Sequence, residues 1–281
     1  MEHHILTAKQ IAAYAYFLRA EERAAATVEK YTRDVRAFAA WLEDRPVTKE
    51  TVARWKERLL EGGLSPATVN AKLSAVNGLL RFLGWEECRA KFVKVQKRAF
   101  RDAARDLSRE EYRRLLDAAR TLGRERLELL LETICATGIR VSELKYITVE
   151  AANNGRTDIS LKGKVRTILL PARLCRKLLK YAKKQKTASG EIFLSENGKS
   201  LSRVRIWREM KGICKAAGVA PSKVFPHNLR HLFATTFYRV TKDIAKLADI
   251  LGHSSINTTR IYLLTTDAEH VRCLERLRLV S

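Results

Sequence analysis

Three short segments carry residue types that suit attack on a phosphodiester. In chain order they are Ala136-Thr137-Gly138-Ile139-Arg140-Val141-Ser142-Glu143-Leu144, Pro226-His227-Asn228-Leu229-Arg230-His231, and Leu251-Gly252-His253-Ser254-Ser255-Ile256-Asn257-Thr258-Thr259-Arg260-Ile261-Tyr262. Cleaving such a bond builds negative charge on the non-bridging oxygens. A guanidinium answers that charge well, because its planar fork binds two oxygens at once. Arg140 follows Gly138 at a helix junction, and Glu143 lies three residues on, placed to orient it. Alone, that pair reads equally as a structural ion pair. His227 and Arg230 are three apart after a helix-opening Pro226, so they share a face. There an imidazole can move a proton while the guanidinium holds an oxygen. His231 reaches the same face, but no acid stands between the two histidines, so no metal site is expected. Tyr262 is one of eight tyrosines. A phenol with an ordinary pKa of about 10 needs a base or a strong positive field to act as a nucleophile. Only the surrounding pattern separates it from a packed aromatic. The bend Lys162-Gly163-Lys164 offers an ammonium that could protonate a departing sugar oxygen; a plain phosphate-binding lysine is the alternative.

The balance of charge points the same way. The 281 residues include 54 Lys and Arg against 31 Asp and Glu, a net charge of +23, which implies a polyanionic partner and most simply a nucleic acid. The five cysteines are scattered and unpaired in spacing, as expected of reduced thiols in the cytoplasm rather than a disulfide framework or zinc site. No secretory leader, lipidation motif or apolar run of membrane-spanning length is read, so no membrane partner is expected.

The elements that must hold these residues read as mainly helical, with one small β excursion. Thr27 is expected to cap a helix burying Val28, Tyr31, Val35, Phe38 and Leu42. Ser65-Pro66 opens another, with Val69, Leu73, Val76, Leu80 and Leu83 inward. Its other face carries Asn70, Lys72, Ser74, Asn77 and Arg81, a set suited to phosphates and base edges or to plain solvent. A basic stretch from Lys91 to Arg105, including Lys94, Lys97, Arg98 and Arg101, reads as a linker along a nucleic-acid backbone. Ser108 and Glu111 form a capping box that starts a second domain. In it, the Leu127–Ile134 helix stops near Gly138. Ile147 to Val149 is a strand candidate, Asn153-Asn154-Gly155 a turn, and Asp158–Leu161 with Thr167–Leu170 a hairpin or three-stranded ribbon. Ser255 or Asn257 is expected to cap a short helix carrying Tyr262.

Across nearly its whole length the chain resembles the tyrosine recombinases, or phage integrases, and especially the compact Xer-type members. The three segments quoted above resemble the family's first arginine box, its His-x-x-Arg box and its histidine-to-tyrosine box. The resemblance implies a helical core-binding domain over 1–98, a basic linker over 99–106 and an α-rich catalytic domain over 107–281, closing on DNA as a C-shaped clamp. It implies that Tyr262 forms a 3′-phosphotyrosyl link and frees a 5′-hydroxyl. Arg140 and Arg230 stabilise the pentavalent phosphate, His227 is the acid/base partner and His253 bonds the scissile phosphate. Glu143 supports Arg140, and Lys162 is the general acid, with Lys164 as the alternative because the hairpin is one residue shorter than the usual pattern. Asn70, Lys72, Asn77, Arg81, Lys94, Lys97, Arg98 and Lys164 are the expected DNA contacts. No cofactor or metal is implied. The expected partners are double-stranded core sites, three further copies in a tetramer joined by a tail helix with Val271, Leu274 and Leu277, and accessory directionality proteins. No arm-site domain is expected. Type IB topoisomerase activity and a non-catalytic DNA-binding relative are the rival readings.

Overall fold

The structure, a computed structural model, describes residues 4–95, 105–161, 164–253, 255–262 and 275. It divides into two units, Met1–Lys97 and Arg98–Ser281.

In the first unit, Thr7 and Gln10 form a reciprocal capping box that starts α1 (Ala8–Ala20). The next helix, α2 (Ala25–Leu42), begins two residues before the expected Thr27 cap. Ala24 stands at the N-cap with no side-chain hydrogen bond, and the alanine run 24–26 favours earlier initiation. Thr48 caps α3 (Lys49–Glu61), and Ser65 caps α4 (Pro66–Phe82) with proline in its first turn. The pivot of this unit is α4. Val69, Leu73, Val76 and Leu80 pack with Phe38, Leu42 and Trp55 on one side. Ala75 and Leu79 pack with Ile11, Tyr14, Leu18 and Val35 on the other. Gly78 is required between them, because a Cβ there would collide with the Tyr14 hydroxyl.

The polar face of α4 departs from expectation at two positions. Asn77 is buried, and its amide both donates to the Ala90 carbonyl (2.9 Å) and accepts from the Ala90 N–H (3.3 Å). Two turns earlier, Asn70 does the same to Val93, at 2.9 and 2.8 Å. The two amides act as a surrogate strand edge. They satisfy the backbone of an extended segment that follows a 3₁₀ turn, Glu86–Cys88, and lies along the helix. Asn70 and Asn77 therefore each commit one amide N–H and one oxygen lone pair to backbone inside the unit.

The second unit opens with α5 (Arg109–Thr121), started by the Ser108–Glu111 box. Its centre is α6 (Glu125–Thr137), buried almost all round at Leu127, Leu129, Leu130, Leu131, Thr133, Ile134 and Thr137. Gly138 ends it in the left-handed region, φ 64°, with Phe233 packed where a side chain would stand. A 3₁₀ turn, Val141–Tyr146, leads to α7 (Val149–Asn154). The strand expected at Ile147–Val149 is thus replaced by a helix entry. Thr148 caps Ala151, leaving only an isolated bridge to Glu191, and Gly155 closes the helix at φ 69°. Antiparallel β1 (Arg156–Leu161) and β2 (Lys164–Leu169) form a two-stranded sheet, pairing Arg156 with Leu169 and Leu161 with Lys164. Beyond it come α8 (Ala172–Lys184), α9 (Arg203–Lys211), α10 (Cys214–Ala217) and a 3₁₀ turn, Pro221–Lys223. The chain then enters α11 (Pro226–Thr241), α12 (Ile244–Leu251), α13 (Ile256–Thr259) and a final 3₁₀ turn, Arg260–Tyr262. Among the described residues, no helix is long and apolar enough to cross a membrane.

Candidate active site

The site is assembled from element ends. Arg140 stands just past Gly138, as the residue before a 3₁₀ turn, with its side chain 44% exposed. Glu143, one turn on, is wholly buried. Its Oε1 accepts from Arg140 Nη1 at 2.9 Å, and its Oε2 accepts from the Arg140 N–H at 2.8 Å and from Arg166 Nη1 at 2.6 Å. A buried carboxylate is tolerable only when paired and hydrogen-bonded, and Glu143 is both.

Arg230 lies in the second turn of α11 and is 2% exposed. It donates to the carbonyls of Gly138 and Leu251 and approaches His253 Nε2 at 3.0 Å. It thereby ties the end of α6 to the end of α12. Burial, reinforced by Arg140, brings its pKa down to about 10, so it stays charged at neutral pH. The Tyr262 hydroxyl, as a hydrogen-bonding partner, opposes that fall.

His253 follows Gly252, which ends α12 with φ 62°. Its Nδ1 is 2.9 Å from the buried Thr259 hydroxyl. Burial first, then the charges of Arg230, Arg140, Arg166 and His227, push the imidazole down to about 4. Arg230 meets the ring at Nε2, and Arg140 and Arg166 are joined to each other through Glu143. His227 is exposed in the first turn of α11.

Ser255, rather than Asn257, caps α13, and the chain then tightens into the turn that delivers Tyr262. Tyr262 is 4% exposed and packs in a small cluster with Ala234, Leu247 and Leu251. Its ring lies 5.0 Å from that of His231 and is near-parallel to that of His253 at 6.0 Å. The phenol therefore sits beside Arg230 within its own chain.

Of the expected residues, Arg140, Glu143, His227, Arg230, His253 and Tyr262 come together. Lys162 lies outside the described residues, as do Ser254, Lys97, Arg98, Arg101 and the tail positions Val271, Leu274 and Leu277. Lys164 begins β2. In the other unit, Lys72 pairs with the buried Asp34 at 3.3 Å, which Lys30 also binds at 2.8 Å. Arg81 is mostly exposed, 3.6 Å from Glu86, and Lys94 is exposed.

Three participants were not foreseen. Arg166 is a buried guanidinium on the inward row of β2, which also carries Ile168. A cation in phase with core residues was its only sequence signal. Thr259 gave none beyond its place between His253 and Tyr262. Asn228 donates to the carbonyls of Lys223 and Arg105, at 2.7 and 3.0 Å, fixing the approach to α11.

The site thus brings the Arg140 and Arg230 guanidiniums together with a neutral imidazole and a phenol, a set able to bind a phosphate and attack it, while Arg166 braces it from behind through Glu143 and Ile250. Residues 105–269 match the phage integrase family, and residues 11–87 match its N-terminal SAM-like domain. The chain is 29% identical to tyrosine recombinase XerA of Pyrococcus furiosus over all of this chain and 98% of that one. It is 30% identical to tyrosine recombinase XerA of Thermococcus kodakarensis over 94% of each. Its fold is similar to a lambda integrase tetramer bound to a Holliday junction, with TM-score 0.75 at 19% identity, covering 93% of this chain and 78% of that one. It is likewise similar to XerH bound to its difH substrate before cleavage, with TM-score 0.70 at 21% identity, covering 95% and 84%. The segment whose distant side chains converge around Arg230 is the segment that carries the family match, and the chain belongs to the phage integrase family of tyrosine recombinases.

Proposed function

We propose that this tyrosine recombinase cleaves and rejoins duplex DNA at specific core sites through Tyr262. The observation that carries the reading is the placement of the Tyr262 ring alongside His253, whose Nε2 lies 3.0 Å from Arg230, in the same chain. The phenolic oxygen bonds to phosphorus as the bond to the 5′-oxygen breaks. The phenolic proton leaves through His227, and Lys162 or Lys164 supplies a proton to the 5′-oxygen. Arg140 and Arg230 hold the two non-bridging oxygens. Attack by a 5′-hydroxyl from a second site reverses these steps and completes the exchange, so the phosphotyrosine conserves the bond energy and the chemistry calls for no cofactor.

The first unit, with Lys72, Arg81 and Lys94 exposed or half-exposed on it, is the proposed reader of the core site, and Lys97, Arg98 and Lys164 are proposed phosphate contacts. The lambda integrase of similar fold is a tetramer on a Holliday junction. A homotetramer joined by the tail beyond Tyr262 extends that assembly to this chain, and accessory proteins are the proposed source of direction. Reduced cysteines suit the cytoplasm as its place of action.

A nicked suicide substrate tests the reading. Wild-type protein is expected to accumulate a covalent protein–DNA adduct, and Tyr262→Phe none. Adduct formation by Tyr262→Phe would sink the assignment. Relaxation of supercoils without exchange between two sites would make the enzyme a topoisomerase instead.

A further inference from the structure

Arg166 is buried on β2, yet its fork reaches two elements that are remote in sequence. Nη1 donates to Glu143 Oε2 at 2.6 Å, while Nε and Nη2 both donate to the Ile250 carbonyl, at 3.1 and 2.7 Å. The other Glu143 oxygen holds Arg140. Ile250 lies in the last turn of α12, and the next carbonyl, of Leu251, accepts from Arg230. Two guanidiniums therefore grip consecutive carbonyls immediately before His253. Gly252 completes the fit: a Cβ there would collide with Arg166 Cδ, independently of its φ of 62°.

We infer that Arg166 is a positioning residue that aligns Arg140 and His253 with each other through Glu143 and the end of α12. It does so from β2, on the row that also carries the buried Ile168. The role requires a fork with donors on two edges. A lysine keeps the charge but presents one compact ammonium, which cannot span a carboxylate and a carbonyl in this geometry.

The inference rests on the recombinase reading, and the test separates the two. Wild type, Arg166→Lys, Arg166→Gln, Glu143→Gln and the Arg166→Gln/Glu143→Gln double variant are compared on the nicked substrate, scoring duplex affinity and single-turnover adduct formation. The expected result is duplex affinity within about 3-fold of wild type for both Arg166 variants, with cleavage slowed by about 10²-fold, the usual consequence of a misplacement near 1 Å. The double variant should lose clearly less than the product of the two single losses, because both changes break the Arg166–Glu143 contact. Wild-type cleavage by Arg166→Gln, multiplicative losses in the double variant, or rescue by Arg166→Lys would overturn it. Failure of both Arg166 variants to fold would also overturn it, making Arg166 a folding residue. Absence of adduct in the wild type would instead remove the recombinase reading itself.

Discussion

His253 Nε2 lies 3.0 Å from Arg230 Nη2, and a guanidinium can only donate. That imidazole nitrogen is therefore unprotonated in the free protein, and the ring proton sits on Nδ1, donated to the Thr259 hydroxyl at 2.9 Å. To bond a phosphate oxygen, Nε2 must acquire a proton. Thr259 can permit this by rotating, since a hydroxyl both donates and accepts. Imidazole nitrogen NMR of the free protein at neutral pH should report the Nδ1–H tautomer for His253. Thr259→Val should cleave up to about 10-fold more slowly at unchanged duplex affinity, since one lost hydrogen bond is worth about 0.5–1.5 kcal/mol. An Nε2–H tautomer in the free protein would contradict the assignment.

The same burial makes stability depend on pH. His253 titrates near 4 when folded, against an ordinary 6.5. Between those values the unfolded chain binds the proton and the folded one does not, so stability falls as pH drops through that window and is fully regained above it. Urea midpoints measured from pH 4 to pH 7 should show a shallower dependence in His253→Gln than in wild type. Identical slopes would place the imidazole in a more open environment than its neighbours imply.

The convergence of Arg140, Arg230, His253 and Tyr262 was legible because each box is short. Helical spacing puts His227 and Arg230 on one face, and Gly138 and Gly252 mark the helix ends from which Arg140 and His253 project. Arg166 was illegible because its partners are 23 and 84 residues away, and local spacing carries no information about such pairs. The hold of Asn70 and Asn77 on backbone was illegible for a related reason. Periodicity identifies the face of α4 that is not core, but not whether a later segment of backbone covers it. At Ile147–Val149 a β-branched run suggested a strand, and the Thr148 cap turned the same residues into a helix entry.

Arg140 and Arg230 should be alike in chemistry and unlike in stability. Alanine at either is expected to slow adduct formation by about 10²–10³-fold, the usual worth of one transition-state donor. Arg140 is 44% exposed, and its removal takes a donor only from Glu143 Oε1, while the N–H of residue 140 and Arg166 still hold Oε2, so it should lower the melting temperature less than loss of Arg230 does. Arg230 is buried and satisfies two carbonyls, and each partner left without a donor costs about 1–3 kcal/mol. Arg230→Ala should therefore also melt several degrees lower. Equal melting temperatures for the two variants would mean that the Gly138 and Leu251 carbonyls find other donors.

Asn77 and Lys72 separate folding from DNA contact within the first unit. Asn77→Ala leaves the buried Ala90 N–H and carbonyl unpaired and should destabilise the unit by about 1–3 kcal/mol. Its duplex affinity per folded molecule, and the slope of that affinity against salt, should match wild type. Lys72→Ala removes one of the cations around Asp34 and, as a proposed phosphate contact, should lower the salt slope by about one unit, since each neutralised phosphate releases counterion. The comparison is informative in both directions. A salt slope unchanged by Lys72→Ala would make that lysine a structural partner of Asp34. A loss of affinity in folded Asn77→Ala would show that the 90–93 segment it holds belongs to the DNA-binding surface.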